Sequence, residues 1–213
     1  MQRYISAAIL IFVSILTVAC EDPAADKPKA TTGSATETAS SKPEGSETLN
    51  ISPDNSKVEF IGAKVTQSHE GSFKNFAGTV DLVADKPENS RVRVEIDMAS
   101  VETDAERLTG HLKSADFFDV AKYPKSVFTT TEIKSGGEGG ATHTITGNFD
   151  LHGVTKSITF PATVRVTDSE VSVDSEFAIN RKDFGILYPG APDNLIRDDV
   201  VIKLSIKAPR ARS

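Results

Sequence analysis

A single cysteine, Cys20, in 213 residues excludes any intramolecular disulfide, and tryptophan is missing altogether. No run of basic residues offsets the acidic balance, which gives a formal charge of −6 and an isoelectric point near 5.3. Without clustered Lys and Arg to displace phosphate counterions, generic nucleic-acid binding is not expected. The four histidines, His69, His111, His143 and His152, are scattered, so zinc-type Cys/His spacing is absent and no metal is expected. A G-x-S-x-G elbow and a G-x-x-x-x-G-K phosphate loop are also missing. The acidic pair Asp198-Asp199 alternates across the start of a strand and so does not converge. Catalysis therefore finds no residues to rest on, and neither an enzyme nor a cofactor is expected.

Hydrophobic residues make up 38% of the chain, below the ~45–50% of ordinary globular domains. Most of the deficit lies between Glu21 and Asn50, where Pro, Ala, Ser, Thr, Lys and Glu dominate and no aromatic occurs. Such composition offers too little apolar surface to offset the entropy of ordering, so residues 20–48 read as a disordered tether. Ahead of it, Arg3 precedes an apolar run from Tyr4 to Val18 and then Ala19-Cys20. The run is short of the ~20 residues of a membrane span and fits the apolar core of a signal peptide over 1–19. Leu16-Thr17-Val18-Ala19-Cys20 resembles a bacterial lipobox, with Thr17 where Leu is usual. This resemblance implies acylation of Cys20 and a lipoprotein held on the bacterial cell envelope, facing the periplasm or the cell surface. A plain secretory peptide and an uncleaved anchor are the alternatives.

From about residue 49 the apolar period is two. Val92, Val94, Ile96 and Met98 share one parity, and Arg91, Arg93, Glu95 and Asp97 the other. The same alternation recurs in Ile145, Gly147, Phe149 and Leu151, in Ile158, Phe160, Ala162, Val164 and Val166, and in Val171, Val173, Phe177 and Ile179. A last set is Val200, Ile202, Leu204 and Ile206. SGGEGG (135–140) and TDSE (167–170) read as hairpin connections. About eight antiparallel strands are expected over 49–213. Periodicity alone leaves open whether they stack as a filled sandwich or close as a barrel. Gly62, Gly78, Gly147 and Ala162 at inward parity are consistent with a partly open lumen.

Residues 103–119 break the alternation and predict a short helical insertion. Thr103 and Glu106 fit a capping box, Leu108 and Leu112 share a helical face, and Ser114 begins a turn that delivers Phe117 and Phe118. Arg181 and Asp183 follow Phe177 and Ile179 at the same parity, and Lys64 follows Val58, Phe60 and Gly62. Buried charges need partners, so Arg181 with Asp183 reads either as a structural pair or as part of a cationic mouth.

Three segments, GHLKSADFFDVAKYP (110–124), GNFDLHGVTKSITFP (147–161) and FAINRKDFGILYPGAPDNLIRDDVVIKL (177–204), resemble the YceI-like family of polyisoprenoid-binding proteins, over about residues 49 to 208. The resemblance implies an all-β, antiparallel lipocalin-like barrel carrying a long apolar lipid in its lumen. On that reading Phe60, Phe76, Phe117, Phe118, Phe149, Phe160, Phe177 and Ile179 would line the lipid site. Lys64, His111, Lys113 and Arg181 would be head-group candidates, although a structural role for His111, bonding a backbone carbonyl, competes. The bound partner would be an isoprenoid-type lipid, with the membrane reached through Cys20. A homodimer is left open. The alternative is a non-carrier envelope stress or interaction protein built as a filled sandwich.

Overall fold

The computed structural model describes residues 22–38 and 41–210, so the apolar N-terminal run and Cys20 lie outside the described residues. The alternating segments are strands: β1 (Thr31–Ser34), β2 (Glu47–Ile51), β3 (Lys57–Ala63), β4 (Ser68–Phe73), β5 (Phe76–Val83), β6 (Lys86–Asp97) and β7 (Val101–Thr103). The helix α1 (Glu106–Lys113) follows. Then come β8 (Lys125–Ser135), β9 (His143–Leu151), β10 (Val154–Val166), β11 (Glu170–Asn180), β12 (Gly190–Ala191), β13 (Asn194–Leu195) and β14 (Asp199–Pro209).

One antiparallel sheet runs in the order β2-β5-β6-β8-β9-β10-β11-β14-β3-β4-β7, with β1 added to β10, while β12 and β13 form a separate hairpin. β5 is second in this order and β4 next to last, yet only Lys74 and Asn75 separate them in the chain. The sheet therefore has to curl until its ends meet, which makes it a lipocalin-like barrel and not a two-sheet sandwich. Its strands outnumber the eight expected because long strands are interrupted. β4 breaks into β5 at Lys74-Asn75, and a 3-10 turn at Met98–Ser100, capped by the Asp97 carboxylate accepting from the Ala99 N–H, separates β6 from β7.

The inward parity follows the sequence. Val94, Ile96 and Met98 are buried, as are Ile145 and Leu151, then Ile158, Phe160, Ala162 and Val164. Burying such side chains contributes about 1.5–3 kcal/mol each, enough to pin the register, since a slip by one residue would turn each set outward. The β10–β11 hairpin closes at 167–169 as expected. Glycine parity misleads in part. Gly62 opens onto the interior, but a Cβ at Gly147 would come within 2.4 Å of the Phe128 ring. That glycine makes room for an aromatic; it does not leave space open.

The helical insertion begins later than its sequence suggests. Thr103 ends β7, and α1 starts after Ala105 with no side-chain cap. The Thr103 hydroxyl instead donates to the Ala105 carbonyl and sits 2.8 Å from the Thr109 hydroxyl, so the capping box does not form. After α1, Phe117 N–H donates to Ser114 O and Phe118 N–H to Leu112 O, which folds both rings back over the barrel end.

The reading of residues 20–48 as a disordered tether is corrected over 22–34. β10 pairs with β11 only from Thr163 to Val166, so the two strands part below Pro161 and leave two free edges. The N-terminal segment fills this fork. β1 runs antiparallel to Lys156–Thr159. On the other edge Ala30 N–H donates to Ala178 O, and Ala178 N–H to Pro28 O, both at 2.8 Å. Lys27–Glu176 (3.1 Å) and Lys29–Asp199 (2.5 Å) ion pairs and a Thr32 hydroxyl bond to Asp183 flank it. Ala24 is buried against Ala178 and Val201. Composition missed this because the segment docks through its backbone and two small alanines, not through large apolar side chains.

Candidate functional site

The barrel interior holds two apolar cavities, of about 140 Å³ and about 130 Å³. Each matches the size of an apolar cavity that stays dry and admits a benzene-sized guest. The first lies under α1 and is lined by Phe60, Gly62, Lys64, Leu108, Leu112, Phe117 and Phe118, among others. The second lies deeper, among Val80, Val94, Phe128, Phe160, Phe177, Leu204 and Ile206. Phe73, Phe149, Ile179 and Ile202 border both, so the two cavities adjoin at these four side chains. Several inward residues, including Phe149, Val200, Ile202 and Leu204, are only partly buried although they pack on the core. Their remaining surface faces the lumen, which is what an unfilled interior produces in a close-packed protein.

Each element contributes through its period. β9, β10 and β11 bring Phe149, Phe160 and Phe177 to one wall, and the last two rings stack 4.2 Å apart. α1 supplies Leu108 and Leu112, one turn apart, as a plug, and the turn after it adds Phe117 and Phe118. Of the expected lipid-site residues, Phe60, Phe117, Phe118, Phe149, Phe160, Phe177 and Ile179 line the lumen. Phe76 is buried in the core but borders neither cavity.

The head-group candidates separate. Lys64 borders the first cavity at the barrel end, and among the described residues no carboxylate lies within ion-pair distance of it. Arg181 reaches the cavity wall, but its guanidinium is spent. Nε donates to Arg197 O (3.1 Å), Nη1 to Ile186 O (2.6 Å), and Nη2 to Ile196 O (3.4 Å) and to Asp198 Oδ1 (3.3 Å). Burial pushes its pKa down and Asp198 offsets part of that. The partner is Asp198 and not Asp183, because Arg181 begins a 3-10 turn (Arg181–Phe184) where strand parity no longer holds. Its role is to tie the 186–198 loop to the end of β11.

His111 does not line the lumen. Its Nε2 lies 2.8 Å from Asp116, not on a backbone carbonyl, and its ring packs edge-on against Phe117 and Tyr188. It therefore holds α1 against the hairpin loop. Lys113 also borders neither cavity. The histidine that meets a carbonyl is His152, 3.3 Å from Phe184 O. Sequence reasoning missed His69, Phe73, Ile196 and Ile202 as lining residues. His69, Gly71 and Phe73 share a parity that could have revealed the first two. Ile196 sits in a loop without a period and carried no such signal.

Comparison with known proteins agrees with this geometry. Residues 49–208 match the family model described as the YceI-like domain. A UPF0312 protein of Pseudomonas syringae pathovar tomato is 37% identical over 139 residues, covering 62% of this chain and 71% of that protein. Among solved structures, BcnA of Burkholderia cenocepacia has a TM-score of 0.66 at 24% identity, over 74% of this chain and 99% of that one. A polyisoprenoid binding domain from Saccharophagus degradans, implicated in plant cell wall breakdown, has a TM-score of 0.60 at 16% identity, over 78% and 100%. At such identities the structural likeness speaks for the fold, while the family match spans every strand from β3 to the body of β14. The chain with these two adjoining apolar cavities belongs to the YceI-like family.

Proposed function

We propose that the protein is an exported lipid-binding carrier. It holds a long apolar lipid of isoprenoid type in the barrel lumen and is retained on the bacterial cell envelope by acylated Cys20. The observation that carries this reading is the pair of adjoining cavities, walled by apolar side chains and meeting at a neck formed by Phe73, Phe149, Ile179 and Ile202. A slender chain suits it better than a compact ligand. Each methylene buried there contributes about 0.8 kcal/mol, so the site selects by length and girth. The Saccharophagus degradans neighbour, a polyisoprenoid binding domain of the same fold, supports the reading. Lys64 stands at the cavity end as the cation for a polar or anionic head group; Arg181 is already committed.

Native mass spectrometry of freshly purified protein tests the carrier role. The expected result is a protein mass increased by a bound lipid, and a fall in thermal stability on delipidation, because a ligand bound only to the native state stabilises it. A bare mass together with unchanged stability after exhaustive delipidation would overturn the carrier reading. Metabolic labelling with a fatty-acid analogue tests the anchor: label is expected on the wild type and not on Cys20→Ser, which should leave the membrane fraction.

A further inference from the structure

Among the described residues the large apolar side chains left exposed are Val65, Leu187 and Leu195, at 53%, 62% and 49% of their full surface. Isolated surface hydrophobics are ordinary, but these three gather at one barrel end. Val65, in the β3–β4 turn, donates its N–H to Leu195 O. Leu195 belongs to the β12–β13 hairpin, and Leu187 lies in the loop that leads into it. Their neighbours Lys64, Ile186 and Ile196 line the first cavity, so the exposed trio rims the mouth of the lumen.

The N-terminal segment arrives at the same place. Asp22 is bonded to Arg197 at 2.9 Å and shares a surface hollow with Leu195, Ile196 and Asp198. Ala24, buried against Ala178 and Val201, fixes the chain just behind it. Cys20 stands two residues before Asp22 in the sequence, a separation that fully extended chain covers in about 7 Å. A 29-residue tether would have allowed roughly 30 Å and any orientation.

We propose that this barrel end is a membrane-docking face. Val65, Leu187 and Leu195 enter the bilayer surface, and the segment pinned at Asp22 holds the lumen mouth against the membrane that carries the anchor. The inference rests on the proposed acylation of Cys20. The occupant is a lipid surface taken up chiefly through apolar contact, because the local cations Arg197 and Lys182 are paired with Asp22 and Asp198, which leaves Lys64 as the one cation of this rim without an ion pair among the described residues. Apolar side chains at an interface bury into the boundary between head groups and acyl chains. A lipid ligand would then pass between bilayer and lumen without crossing water.

The test uses the full acylated chain in phosphatidylcholine proteoliposomes, with one environment-sensitive fluorophore on an introduced cysteine. The positions are Leu195→Cys, Val65→Cys and, as the far-end control, Asp168→Cys in the β10–β11 turn. With brominated lipid in the bilayer, the first two labels should lose most of their emission and the control should keep it. Protein that is acylated and membrane-bound but unquenched at both rim positions, or quenched equally at the control, overturns the docking face alone. Protein that carries no acyl chain and leaves the vesicles overturns the anchor, and the docking face with it.

Discussion

The rings of Phe160 and Phe177 stack 4.2 Å apart and within 9° of parallel. They come from β10 and β11 where those strands have parted, so the stack bridges from inside the fork that the N-terminal segment bridges with backbone bonds. Phe160→Ala or Phe177→Ala should destabilise the delipidated protein by about 3 kcal/mol. This is the low end of the ~3–5 kcal/mol range for buried phenylalanine, because both rings already border empty space. Urea unfolding measures it, and a loss under about 1 kcal/mol would show that the pair does not hold the fork.

Removing residues 22–34 should lower the melting temperature, contrary to what a tether would predict. The deletion strips the β1–β10 ladder, both backbone bonds to Ala178 and the ion pairs of Lys27 and Lys29. A net loss of about 0.5–1.5 kcal/mol per backbone bond translates to a drop of more than about 4 °C in a domain of this size. Differential scanning calorimetry decides it. A shift within a degree would return the segment to the role of spacer.

The contrast between that segment and the strands shows what the sequence could and could not disclose. Val92 to Met98, Ile145 to Leu151 and Ile158 to Val164 announced their faces, because a half-buried strand writes its environment every second residue. The lumen-lining phenylalanines of β9, β10 and β11 came with them. Curling into a barrel was not legible, since it depends on β4 and β5 meeting at opposite ends of one ladder, a relationship between residues remote in the sheet. Arg181 does not pair with Asp183 because strand parity stops at Asn180, and both residues lie beyond it in a 3-10 turn. The docking of residues 22–34 was invisible for a plainer reason. It is made by main-chain groups, which every residue possesses, and by Ala24 and Ala30, which composition counts as nearly neutral.

Arg181→Met should cost about 3 kcal/mol or more, because it leaves the carbonyls of Ile186, Ile196 and Arg197 without their donor in a buried site. Arg181→Lys should recover only part of this, since a single ammonium cannot reproduce the planar fork that meets several acceptors. Lipid retained per folded molecule should be unchanged in both variants, measured by extraction at a temperature where they remain native. A selective loss of anionic lipid with stability intact would instead make Arg181 a head-group ligand.

The neck offers the sharpest separation between a filled interior and a lumen. Ile202 lies on β14, opposite Phe177 on one side and Phe60 on the other, and borders both cavities. In a close-packed core, Ile202→Phe would overpack and cost about 1–3 kcal/mol. Here the larger ring has space to enter, so the stability of the delipidated protein should change by less than about 1 kcal/mol, the added contacts offsetting the strain. The same ring should close the passage between the cavities. A lipid that loses contact with only two methylenes forfeits about 1.6 kcal/mol, more than a tenfold loss in retention. Bound lipid should therefore fall in amount or shift to shorter chains in native mass spectra. If Ile202→Phe unfolds like an overpacked core while ligand length is unaffected, the two cavities do not act as one channel and the lipid occupies only one of them.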